Sequence, residues 1–129
     1  MTDDPTAYDV AQAAEIVGRA LGVVGGAELV VGSLAGLPGT QHTPARKGRF
    51  RSSPEQVVVG QWRYEATRDG RLSASHVVAG IVIAEVVLPA DEAGTHVARA
   101  LAEHVFDHGS RTVPAVRSML EGLAVAAGA

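Results

Sequence analysis

Residues 55–89, EQVVVGQWRYEATRDGRLSASHVVAGIVIAEVVLP, constrain the fold most. The run is rich in β-branched and aromatic residues, and it alternates apolar with polar on either side of Asp69-Gly70, a dipeptide suited to a tight hairpin turn. Pairing Arg68 with Arg71 across that turn predicts a β-hairpin over 56–88. In that register Trp62 faces Val77, Tyr64 faces Ser75 and Val58 faces Ile81 on one surface. The other surface pairs Arg63 with His76, Gln61 with Val78 and Glu65 with Ala74. A slip of one residue would mix Trp62 with the polar set, so the pattern argues for this pairing. Beyond Gly80 the alternation stops, and IVIAEVVL is apolar on both faces. Such a strand needs cover on both sides, from helices or from another subunit. The expectation is a homodimer joined near residues 81–88.

Helices flank this segment. Asp4 can cap the first, Pro5 suits its first turn, and Thr6 through Leu21 has helical periodicity. Val10, Ala13, Ala14, Val17 and Leu21 share one stripe, with Asp9, Gln12, Glu15 and Arg19 opposite. Gly22, Gly25 and Gly26 end the helix. Residues 28–36 fit either a buried strand or a close-packed helix, since Gly32 and Gly36 stand four apart. The glycine break before them favours a strand near 29–34. Residues 37–55, broken by Pro38, Gly39, Pro44, Gly48 and Pro54, read as a loop with a short strand around 48–52. Pro89 opens a helix running to His108, where Gly109 stops it. Thr112 and Pro114 open the last helix, whose stripe is Val113, Val116, Leu120, Leu123 and Ala127. The order is helix, strands, helix, helix, without strand–helix–strand alternation. It predicts a single α+β domain: an N-terminal helix, an antiparallel sheet of three to five strands, and two C-terminal helices packed on one sheet face.

Composition narrows the chemistry. The 129 residues contain no cysteine, which removes thiolate catalysis, disulfides and cysteine-based metal sites. Aromatics are 4%, so a core of Val, Ile, Leu and Ala offers few rings on which bases or sugars could stack. The most apolar window, 16–37, is interrupted by Arg19 and Glu28, each costing about 2.5–3.5 kcal/mol at a bilayer centre, so no membrane span is expected. The start, MTDDPTAYD, lacks the basic-then-apolar design of a secretion signal, and a cytoplasmic location is the expectation. Net charge is −3, yet four of the eleven basic residues, Arg46, Lys47, Arg49 and Arg51, cluster in one loop and leave seven against fourteen acidic elsewhere. Those four are the candidates for binding an anion or an acidic protein partner. No nucleic-acid-binding signature accompanies them, so nucleic acid is an unlikely partner.

His104 and His108 stand four apart on the 91–108 helix. Ala93, Val97, Ala100 and Leu101 define its inward stripe, and both histidines fall on it. His96, Arg99, Glu103 and Asp107 fall on the opposite side. A metal needs a third ligand that the pattern does not supply, so no metal and no cofactor are expected. His108 suits the negative end of the helix dipole. Trp62, Tyr64, His104 and His108 are therefore the polar handles of a candidate pocket between sheet and helices. The glycine-rich run 22–39 contains neither GxGxxG nor GxxxxGK[ST], so no nucleotide loop is indicated. No nucleophile–base set is visible. The reading is a non-catalytic interaction or self-associating module. The alternative is a carrier or small enzyme taking an apolar or acyl molecule into that pocket.

Overall fold

A computed structural model describes residues 8–48 and 52–128. Helices α1 (Val10–Leu21) and α2 (Gly26–Ala35) come first, then the strands β1 (Gln41–Thr43), β2 (Arg46–Lys47), β3 (Ser52–Ser53), β4 (Gln56–Val59), β5 (Trp62–Ala66), β6 (Leu72–Val78) and β7 (Ile81–Val87). Helix α3 (Ala90–His108), a 3-10 turn (Ser110–Thr112) and α4 (Val113–Ala126) follow. Five strands form one antiparallel sheet in the order β1-β4-β5-β6-β7, and β2 pairs with β3 as a separate arm. The architecture is α+β with an antiparallel sheet and helices at both ends of the chain, as the element order implies.

The sheet is a four-strand meander flanked by β1, not one long hairpin. Gly60, at φ 61°, turns β4 into β5, and Ala79-Gly80, at φ 52° and 79°, turns β6 into β7. Positive φ at both central residues is the two-residue turn that matches strand twist, and Gly80 meets it without a Cβ. The central turn differs from the expected one. Thr67 pairs with Arg71 through Thr67 N–H to Arg71 C=O at 2.8 Å, so the loop is the three residues Arg68, Asp69 and Gly70, with Gly70 at φ 82°. The Thr67 hydroxyl accepts from Arg71 N–H at 2.9 Å and donates to Asp69, which holds the Asp69 carboxyl below its ordinary range. One extra loop residue shifts the whole register. Trp62 pairs with His76 instead of Val77, Tyr64 with Ala74 instead of Ser75, and Arg63 with Ser75 instead of His76. Val58 lies opposite Gln41 and Arg63, not Ile81.

The observed register exchanges the faces of β6. Val57, Val59, Tyr64, Leu72 and Ala74 now point to one side and are buried. Arg63, Glu65, Ser73, Ser75 and Glu85 share the other side.

Helix α1 begins at Val10, with the Asp9 carboxylate accepting from Gln12 N–H at 3.1 Å. Asp4, Pro5 and Thr6, the expected cap and first turn, lie outside the described residues. Residues 28–36 are helical, not a strand. Helix α2 touches α1, α4, β4 and β5, so most of its circumference is apolar and its period is faint. Helices α2 and α3 contact the sheet, while α1 and α4 pack chiefly on other helices. Close approach explains two glycines: a Cβ on Gly94 of α3 would lie 2.4 Å from the Ala14 carbonyl of α1, and one on Gly26 would lie 1.9 Å from the Ala20 carbonyl. The expected stripe of α4 is inside, with Val113, Val116, Leu120 and Leu123 buried. The Tyr8 hydroxyl donates to the Ala98 carbonyl at 2.7 Å and ties the start of the chain to α3.

Candidate functional site

The two ends of the sheet are built differently. Strand β1 is three residues long and polar, and its central His42 holds Nε2 2.8 Å from the Glu55 carboxylate. Short polar edges resist pairing with other chains. Strand β7 is seven residues long and exposed throughout. Ile81 is 65% exposed, Ile83 59%, Val86 47%, Val87 45% and Val82 41%. The reason is positional: α2 and α3 pack on β4 and β5, and among the described residues no helix packs closely on β7 before Leu88. A register shift in the β6–β7 ladder leaves Ile83 without a partner between Val82, opposite Val77, and Ala84, opposite His76. Past that bulge the ladder is regular. Leu88 N–H donates inward to Leu72 C=O at 2.9 Å. Alternation along an antiparallel strand then turns the backbone groups of Glu85 and Val87 outward, away from β6.

Beside this edge, the sheet face under α3 carries an aromatic–histidine cluster. Trp62 stacks on His76 at 4.7 Å between centroids and meets His96 edge-on at 4.4 Å. The buried Tyr64 hydroxyl shares a hydrogen bond of 2.8 Å with His96 Nδ1. Burial, with Glu103 adding to it, pushes the Tyr64 hydroxyl far above its ordinary range. Burial and the neighbouring Arg99 hold His96 below its ordinary value, with Glu103 opposing. Both groups are therefore neutral near pH 7. A groove of about 500 Å³ opens over Trp62 and Leu88, walled by Asp91, Glu92, His96, Arg99 and Glu103 of α3.

The four expected pocket residues divide between two places. Trp62 and Tyr64 come together, but with His96 and His76. His104 and His108 sit at the far end of α3, their rings 4.3 Å apart. His108 Nδ1 lies 3.0 Å from the His104 carbonyl, and its Nε2 lies within 2.8 Å of where a Cβ on Gly39 would stand. His104 is 1% exposed, and neither ring nitrogen makes a hydrogen bond of good geometry among the described residues, although the Pro38 carbonyl stands near enough to act on the ring. Burial first, and then His108, lowers its pKa, while the Pro38 carbonyl and Asp107 pull the other way. His96, placed on the wet side by the helical stripe, instead faces the sheet. Helix α3 packs on α1 through Gly94 and on the sheet through His96, so two of its sides are inside. Two signals pointed to His96: its place on the helix that follows β7, and the need of a buried Tyr64 for a partner.

Of the anion candidates, Arg46 and Lys47 lie on β2, paired with Ser53 and Ser52, while Arg49 and Arg51 lie outside the described residues. Among the described residues no group of three or more His, Asp or Glu side chains is arranged to hold a metal ion, and no helix is long and apolar enough to cross a membrane.

Residues 5–125 match the family described as a domain of unknown function, DUF5073. The chain belongs to that family. No curated protein and no solved structure matches it. In this DUF5073 member the β7 edge is the most exposed apolar strand among the described residues.

Proposed function

We propose that this domain is a non-catalytic self-associating module whose contact surface is the β7 edge. The observation that carries the reading is a terminal strand apolar on both faces and exposed along all seven residues. A long apolar edge is a template for pairing with another chain. A second copy fits it because the strand past the bulge is self-complementary. Antiparallel pairing about a two-fold axis at Val86 sets the outward backbone groups of Glu85 against those of Val87 in the other copy. Ala84 then lies opposite Leu88. The single charge of the strand, Glu85, meets a valine, so no like charges stand directly opposite each other.

The energy is modest. Covering the exposed half of a Val or Ile is worth about 1 kcal/mol, so the paired Val86 and Val87 of both copies contribute about 4 kcal/mol. The four backbone hydrogen bonds of the two Glu85–Val87 pairs add about 1 kcal/mol each. Lost rigid-body freedom offsets at least about 4 kcal/mol, which places the dimer at about millimolar or weaker. An acyl-carrier reading has less support, because Tyr64, Leu34, Leu72 and Leu101 fill the space between sheet and helices.

The absence of cysteine makes the test direct. In the two-fold register Val86 faces its copy in a non-hydrogen-bonded pair, with Cα atoms about 4.5 Å apart, within disulfide range. Sedimentation of the unmodified chain, at loadings up to on the order of 500 µM, is expected to show a reversible monomer–dimer equilibrium. Val86→Cys is expected to form a disulfide-linked dimer under mild oxidation, and Ile81→Cys, beyond the pairing, is not. A chain that stays monomeric throughout, or equal cross-linking at both positions, overturns the proposal.

A further inference from the structure

We propose that a cavity on the helix-free face of the sheet binds a small phosphorylated amine. The cavity, of about 500 Å³, lies between the β2–β3 arm and the back of β5, β6 and β7. Its lining includes three cations, Arg46, Lys47 and Arg68, and two carboxylates, Glu65 and Glu85, around Ser73. The register explains the shape. Ser73 lies opposite Glu65 on one side and Val87 on the other, and Ser75 lies between Arg63 and Glu85. Small side chains along β6, flanked by longer ones, leave a trough.

Two features point to a ligand. The Ser73 side chain is 3% exposed, and its Oγ has no hydrogen-bond partner among the described residues. Buried hydroxyls are seldom left so. In addition, none of the five charged side chains forms an ion pair among the described residues, although both signs line one cavity. An anion alone would stand near two carboxylates, and a cation alone near three cations. A molecule carrying both signs can meet both sets. The lining sums to one net positive charge, and a phosphomonoester with one ammonium group carries about one net negative charge at pH 7, since the ester holds about −1.5 to −2. Its phosphate belongs against Arg46, Lys47 and Arg68, and its ammonium against Glu65 and Glu85.

The test is a low-salt titration of the full chain with phosphoethanolamine, inorganic phosphate and ethanolamine, followed by calorimetry and by amide shifts. Phosphoethanolamine is expected to bind saturably and at least about tenfold more tightly than either fragment, with shifts centred on Ser73 and Glu65. Glu85→Gln should reduce that preference for phosphoethanolamine over phosphate, and Arg46→Ala should weaken both. Circular dichroism checks that these variants fold. Equal affinity for phosphate and phosphoethanolamine overturns the proposal, as does binding unchanged in both variants or the absence of saturable shifts. Flotation with phosphatidylethanolamine vesicles separates a free ligand from a lipid headgroup. Retention on vesicles without binding of the free compound also overturns it.

Discussion

Replacing His104 with leucine removes a buried imidazole whose two nitrogens make no well-formed hydrogen bond among the described residues, only a weaker interaction with the Pro38 carbonyl. The site is 1% exposed, so water satisfies neither atom. Leaving a buried polar group unsatisfied costs about 1–3 kcal/mol, whereas an apolar group of similar size carries no such penalty. Some of that gain is lost, because leucine cannot stack on His108, whose ring lies 4.3 Å away. The expected net effect at pH 7.5 is stabilisation by about 1 kcal/mol.

Acid enlarges the difference. Burial and His108 hold the folded-state pKa of His104 below its ordinary value, so the unfolded chain takes up this proton first. Stability from the neutral ring is fully present above the unfolded value, near pH 6.5, and is lost as pH falls below it, by at most about 1.4 kcal/mol per pH unit. The loss ends once the pH passes the folded-state value. His96 adds a slope of the same sign in both proteins. Urea denaturation of wild type and His104→Leu at pH 7.5 and 5.5 separates the contributions. The stabilisation by leucine should be greater at pH 5.5 by up to about 1.4 kcal/mol. A variant destabilised equally at both pH values would show that His104 is satisfied in the folded state and refute the reasoning.

Two further substitutions test the packing. Ala79→Asn, at φ 52° in the β6–β7 turn, should stabilise the chain by about 0.5–1 kcal/mol, because asparagine tolerates the left-handed region better than alanine. Unchanged or lower stability in chemical denaturation would count against that turn. Gly94→Ala drives a Cβ to within 2.4 Å of the Ala14 carbonyl and should cost about 1–3 kcal/mol as α1 and α3 separate, read as a lowered denaturation midpoint. A neutral result would show that the two helices are not in close contact at Gly94.

Much of the fold is legible in the residues because local and tertiary preferences agree there. The Val113, Val116, Leu120 and Leu123 stripe, the stop at Gly109 and the strand content of 55–89 all follow from spacing. The failures have identifiable causes. Residues 28–36 lack a period because α2 is surrounded on most sides, and short apolar runs do not separate helix from strand. The register moved because the Thr67 hydroxyl accepts from Arg71 N–H and stabilises a three-residue loop, where Asp69-Gly70 alone suggests two. That single residue carries His76 from the polar face to Trp62. His96 falls on the wrong side of the predicted stripe because a stripe assumes one buried side, and α3 has two.

The unequal edges of the sheet have a consequence for stoichiometry. Strand β7 offers one long apolar rim, whereas β1 at the opposite end offers three polar residues, the middle one paired with Glu55. An assembly that adds copies along a sheet needs two adhesive rims per molecule, and the described five-stranded sheet has one such rim. Pairing through β7 about a two-fold axis uses it up in both partners. Under the proposed pairing, growth would end at two, as a closed isologous contact instead of an open filament.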